Sequence, residues 1–168
     1  PLYFLPKLKS FTRVVSGQSF TNLQQIGQLK QLQELVISAW KIEGFSSLGN
    51  LSNLRKLAVS SFDHEIPDIS FLETMVNLEE LILPLAKISD IRAVTNLTEL
   101  KFLDLANNNI SNLQPLSALT RLEDLRLSSN AIDDISPLSN LTQLLFLDLG
   151  NNQVTNLSPL RHLTSLRS

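Results

Sequence analysis

Cysteine is absent from this 168-residue chain, and with it any disulfide framework, thiolate metal site or cysteine nucleophile. The two histidines, His64 and His162, stand far apart in the sequence and neither has a partnered nucleophile. Asp63, His64, Glu65 and Asp68 form a polar run, but neighbours in one extended loop do not converge on a single ion. No metal and no cofactor is therefore expected. The five glycines form no phosphate-cradling motif. Charge of either sign is sparse: 14 Lys and Arg against 16 Asp and Glu give a net −2, with no basic cluster for nucleic acid. No apolar run is long enough to span a bilayer, so membrane insertion is not expected. Together these absences argue against an enzyme.

What the chain has is leucine at fixed intervals. Residues 97–162 are three copies of one 22-residue pattern. Its scaffold is Leu97, Leu100, Leu103 and Leu105, then Leu119, Leu122, Leu125 and Leu127, then Leu141, Leu144, Leu147 and Leu149. Each set is followed by an Asn (Asn108, Asn130, Asn152) and a Pro (Pro115, Pro137, Pro159). This L-x-x-L-x-L-x-x-N pattern resembles a leucine-rich repeat. The second half of the pattern, as in Ile132, Asp134, Ile135, Pro137 and Leu138, resembles the 22-residue repeats of bacterial internalin-like proteins. The resemblance implies an α/β-type but mainly β solenoid, a right-handed superhelix. A curved parallel sheet would line its concave side, with short 3-10 or irregular segments on the convex side. It also implies a protein-binding scaffold, secreted or on the cell surface, with a cytoplasmic location as the alternative.

The same spacing runs back through the chain. Units are read at 5–28, 29–50, 51–74, 75–96, 97–118, 119–140 and 141–162, with a partial one at 163–168, so 1–168 reads as one leucine-rich repeat domain. The sequence is expected to be a fragment of a longer protein. The first unit (Leu5, Leu8, Phe11, then Phe20, Leu23, Ile26) is degenerate, with two extra residues around Gly17. The third is two residues longer than its neighbours, the excess falling in Phe62–Glu65. Leu2, Tyr3 and Phe4 read as part of a preceding unit.

Within each unit, stretches such as E-D-L-R-L (123–127) alternate apolar and charged residues, the period of a strand with one buried face. Parallel strands are predicted near 34–37, 56–59, 80–83, 102–105, 124–127 and 146–149. Asn108, Asn130 and Asn152 are read as structural: an inward amide can satisfy backbone groups where the chain leaves the strand. In the first half the equivalent positions hold Trp40, Phe62 and Ala86, so those turns must be held differently, with Trp40 packed on Phe62. Asn-x-Ser/Thr at Asn50, Asn96, Asn140 and Asn156 follows from repetition of the unit rather than from glycosylation.

Function is sought on the solvent side of the strands. One outward column runs Val36, Ala58, Ile82, Asp104, Arg126, Asp148, and its neighbour runs Glu34, Lys56, Glu80, Phe102, Asp124, Phe146. Alternating charges suggest neutralising cross-strand ladders, Glu34–Lys56–Glu80 and Asp104–Arg126–Asp148. Exposed Phe102 and Phe146, and the apolar pair Val36 and Ile82, suggest a contact surface instead. The candidate ligand-binding residues are therefore Val36, Ile82, Phe102, Asp104, Asp124, Arg126, Phe146 and Asp148. A protein partner on this concave face is the first reading. The other is a structural or regulatory segment within a larger cytoplasmic signalling protein.

Overall fold

The computed structural model describes residues 5, 7–15, 17–61, 65–66 and 68–167. Leu2, Tyr3, Phe4, Phe62, Asp63 and His64 lie outside these, and with them the Trp40–Phe62 contact and most of the inserted loop. Among the described residues nine strands form in chain order: β1 (Ser10–Val14), β2 (Ser19–Phe20), β3 (Glu34–Ala39), β4 (Lys41–Ile42), β5 (Lys56–Ser61), β6 (Glu80–Ile82), β7 (Phe102–Asp104), β8 (Asp124–Arg126) and β9 (Phe146–Asp148). Seven of them make one parallel sheet in the order β1-β3-β5-β6-β7-β8-β9, and β2 pairs with β4 in a second, two-stranded sheet. Each step across the large sheet is one repeat along the chain, so the architecture is a mainly β solenoid. Register follows the leucine columns: Phe11, Leu35, Leu57, Leu81, Leu103, Leu125 and Leu147 stand side by side.

Alternation sets which face is buried. Leu35, Leu57, Leu81, Leu103 and Leu125 have no exposed surface, while the residues on either side of each point outward. The return segments supply the opposite wall. They are short 3-10 turns at Phe45–Asn50, Ser70–Thr74, Arg92–Val94, Gln114–Leu116, Ser136–Leu138 and Ser158–His162, with one α-helical turn at Leu23–Ile26. Pro115, Pro137 and Pro159 sit in the first turn of their 3-10 segments, where a missing N–H has no partner to lose. Leu48, Leu72, Val94, Leu116 and Leu138 bury their side chains completely from this side. Burial of that kind contributes about 1.5–3 kcal/mol per side chain.

The turns out of the strands differ between the two halves of the chain. In the second half the Asn amide joins adjacent repeats. Asn130 Nδ2 donates to the carbonyls of Leu105 and Leu127, both at 3.0 Å, and its Oδ1 accepts the N–H of Ile110 at 2.9 Å. Asn152 does the same with Leu127, Leu149 and Ile132. Asn108 bonds Leu83 and Leu105, and its Oδ1 takes two N–H groups, those of Ala86 and Ile88. The residue before each Asn (Asn107, Ser129, Asn151) is left-handed, with φ of 57°, 57° and 54°.

In the first half, backbone takes over. Ile66 donates to the carbonyl of Ala86, where the later repeats use an Asn oxygen, and the turn around Ala86 holds two left-handed residues, Leu85 and Lys87. Trp40 is 49% exposed and so does not fill the core in place of an Asn. Its N–H donates to Gln18, its carbonyl accepts the hydroxyl of the buried Ser61, and the β2–β4 pairing carries the chain onward. These longer ladders explain why β3 and β5 run two residues beyond the predicted 34–37 and 56–59, while β6 to β9 end one residue short.

Candidate functional site

Three short strands, β7, β8 and β9, each expose two residues flanking a core leucine. Their register sets Phe102, Asp124 and Phe146 in one row and Asp104, Arg126 and Asp148 in the next. The spacing of two between Asp124 and Arg126 puts both on one face of β8, and they meet there. Arg126 Nε donates to Asp124 Oδ1 at 3.1 Å, and Nη2 donates to Oδ2 at 3.0 Å, a two-pronged pair. The guanidinium carbon also lies 4.9 Å from the ring centre of Phe102 and 5.5 Å from that of Phe146. Arg126 is thus flanked by an aromatic ring from each neighbouring strand, within cation–π range. Phe102 is half-buried, whereas Phe146 keeps 46% of its surface open.

This arrangement departs from the expected charge ladder. Arg126 pairs along its own strand with Asp124, not across strands with Asp104 and Asp148. Each outer aspartate gives one oxygen to the strand end: Asp104 Oδ1 accepts the N–H of Ala106 at 3.0 Å, and Asp148 Oδ1 that of Gly150 at 2.9 Å. The hydrogen bonds to Asp124 hold the Arg126 guanidinium above its ordinary pKa. Partial burial opposes them, and the charges of Asp124, Asp104 and Asp148 reinforce them. Sequence reading missed the in-strand pair, although D-L-R on a strand was signal enough for it.

Across β3, β5 and β6 the face is different. Val36, Ala58 and Ile82 lie side by side, all half-buried. In the row beside them Lys56 pairs across strands with Glu80 at 2.5 Å, as the ladder expectation has it, while Glu34 accepts the Ser10 hydroxyl at 3.1 Å. The outward face therefore divides into an apolar strip and an aromatic, carboxylate-rich end.

Among the hollows away from this face are two larger ones. One, of about 340 Å³, is lined on the return side by Asp68, Ser70, Glu73, Asp90 and Arg92. Two of its carboxylates are engaged locally, Asp68 with Ser70 and Asp90 with Arg92. The other, of about 450 Å³, lies beside β1 and β2 and is lined by Phe11, Arg13, Gln18 and Phe20 among others. Among the described residues no three His, Asp or Glu side chains gather as a metal site, and no helix is long and apolar enough to cross a membrane. Glu65 pairs with Lys87, and Asp68 caps the turn at Ser70.

Comparison with known proteins agrees with the repeat fold. The family described as "Leucine Rich repeats (2 copies)" matches residues 98–140 and 120–162. Internalin C2 of Listeria monocytogenes has a similar structure, with a TM-score of 0.75 at 26% identity over 94% of this chain and 77% of that one. An internalin (inlF) of the same organism superposes with a TM-score of 0.70 at 27% identity, over 99% of this chain and 55% of the internalin. The leucine-rich repeat ectodomain of the Arabidopsis thaliana receptor kinase GASSHO1/SCHENGEN3, solved in complex with CASPARIAN STRIP INTEGRITY FACTOR 2, matches at 26% identity with a TM-score of 0.75. That match covers 89% of this chain and 19% of the ectodomain. No curated protein sequence matches the chain.

Proposed function

For a leucine-rich repeat protein whose repeats resemble those of internalins, we propose a non-catalytic role in recognising a protein partner through the concave face of β7, β8 and β9. Leucine-rich repeat proteins are typically interaction scaffolds, and one of the similar structures is a receptor ectodomain solved with a bound factor. The observation that carries the reading is Phe146. An aromatic ring 46% exposed on the strand face contributes little to the core, and aromatics are enriched where surfaces become buried on binding. Arg126, held by Asp124 and by two rings, supplies a rigid neighbour that loses little side-chain freedom on association. Phe102, Asp124, Arg126 and Phe146 form the centre of the proposed site. Asp104 and Asp148 border it, and Val36 and Ile82 extend it along the sheet. Asn108, Asn130 and Asn152 serve the scaffold on this reading, because their amides face backbone groups of adjacent repeats.

One observation favours a second reading, in which the strand face serves the fold. Both phenyl rings have an intramolecular partner in Arg126, so the stack also covers the sheet. The double variant Phe102→Ala/Phe146→Ala separates the two. On the recognition reading it loses a partner that the parent chain captures, with its melting temperature unchanged to within a few degrees. Aromatic anchors at such positions typically cost more than about 2 kcal/mol of binding on truncation. A clearly lowered melting temperature with capture intact assigns the rings to the fold and rejects the recognition site.

A further inference from the structure

Among the described residues of the two outward columns, the carboxylates of Glu34, Glu80, Asp104, Asp124 and Asp148 stand with two cations, Lys56 and Arg126. Five against two leaves these columns at −3, on a chain whose total is −2. Most of the excess is on β7 to β9, where Asp104, Asp124 and Asp148 meet Arg126 alone, and both cations are paired: Lys56 with Glu80, and Arg126 with both oxygens of Asp124. The Arg126 charge is already paired: its Nε–H and one Nη2–H go to Asp124, and a phenyl ring stands on each side of the guanidinium. Asp104 and Asp148 stand in register on its two sides, and each gives only Oδ1 to a backbone N–H. Their Oδ2 atoms accept no hydrogen bond from the described residues. An anionic ligand would thus meet three carboxylates, whereas a cation would meet two carboxylate oxygens and the exposed ring of Phe146.

From this charge complementarity we propose that the partner docks a cationic, extended segment on the β7–β9 face. Its Lys or Arg side chains pair with Asp104 and Asp148, and their cationic heads rest against Phe146. The inference builds on the recognition role argued above and names the chemistry of the occupant. Carboxylate-lined surfaces raise the local concentration of cationic partners, and attraction between rim charges acts mainly on the association rate. Ring-face contact by a cation adds selectivity for Lys or Arg over neutral residues.

The probe is a random-sequence peptide display library selected on the immobilised 168-residue chain at low salt. The expected result is binders enriched in Lys and Arg about threefold or more over the starting pool. A synthetic copy of such a binder should weaken about tenfold or more in Asp104→Asn/Asp148→Asn, and as much in Phe102→Ala/Phe146→Ala. The aspartate variant keeps an amide oxygen for the Ala106 and Gly150 N–H groups, so its fold is preserved, and a melting curve checks this. Asp134→Asn, away from the strand face, is the control and should change nothing. Binders that need the phenylalanines but lack Lys and Arg enrichment, or that ignore Asp104→Asn/Asp148→Asn, overturn the cationic segment and leave the recognition face standing. Absence of any binder, or binders indifferent to Phe102→Ala/Phe146→Ala, removes the recognition face and this inference with it.

Discussion

Asn130 connects its repeat to the preceding one through two hydrogen bonds, to Leu105 and Ile110, and closes its own turn with a third, to Leu127. Asn130→Ala should leave the buried N–H of Ile110 without its partner and take one of two amide donors from each of the carbonyls of Leu105 and Leu127, which keep Asn108 and Asn152, at a cost of about 1–3 kcal/mol. Ala86 occupies the matching slot of an earlier repeat, where the Ala86 carbonyl already serves Ile66. Ala86→Asn should therefore be much milder, or helpful. Denaturant titration of both variants checks the pair, and equal losses would contradict the inter-repeat role. The turn at Ala86 also carries a visible cost in Leu85, which is left-handed at φ 60° and 54% exposed. A side chain with a Cβ adopts that conformation at a cost of about 1 kcal/mol, and Asn tolerates it better than Leu. Later repeats place Asn107 and Asn151 there. Leu85→Asn should raise stability by up to about 1 kcal/mol, read as a higher denaturation midpoint at unchanged slope. The Asn column was legible as letters in the sequence. Its replacement by a backbone carbonyl was not, because no residue type records a second left-handed turn at Lys87.

At the scale of the element, five of the return turns are closed by one short polar side chain each. Asp68, Asp90, Asn112, Asp134 and Asn156 each accept the N–H two residues on, at 2.8–3.0 Å. The aspartates gain from this: backbone bonds from Ser70 and Ser136 hold Asp68 and Asp134 below the ordinary carboxylate pKa, and the Arg92 side chain does so for Asp90. A pKa depressed on folding stabilises the protein above the unfolded value and ceases to do so as pH falls through the folded one. Thermal stability should therefore decline as the medium is acidified below the ordinary range of Asp, near pH 4. Asp134→Asn should be nearly neutral at pH 7, because Asn112 and Asn156 accept the same bond. It should also shrink the acid-induced drop in melting temperature. An unchanged pH profile in that variant would contradict the assignment. The Asp of the I-x-D-I-x-P-L pattern was visible in the sequence, but its partner N–H was not. Strand ends were legible only approximately, since apolar alternation does not say where a ladder stops. Buried Ala39 and Ser61, paired in register, extend β3 and β5 past the expected ends.

Over the whole molecule, 22-residue spacing turns sequence columns into rows of neighbours, so the core and the outward rows were readable from the letters. The contacts within a row were not. Charge alternation pointed Arg126 toward Asp104 and Asp148, yet its hydrogen bonds go to Asp124 on the same strand, while each outer aspartate gives one oxygen to a strand-end N–H. The two phenylalanines come from repeats on either side of Arg126, and only the folded stack brings them to it. The central claim, that this face is where a protein partner sits, is tested most directly by where a bound partner touches. A photoreactive residue replacing Ser128, two residues past Arg126 at the exit of β8, should form a covalent adduct with a partner that the parent chain captures. The same residue at exposed Asn140, outside the strand face, should not. An adduct at Asn140 with none at Ser128 would place the partner elsewhere and contradict the account.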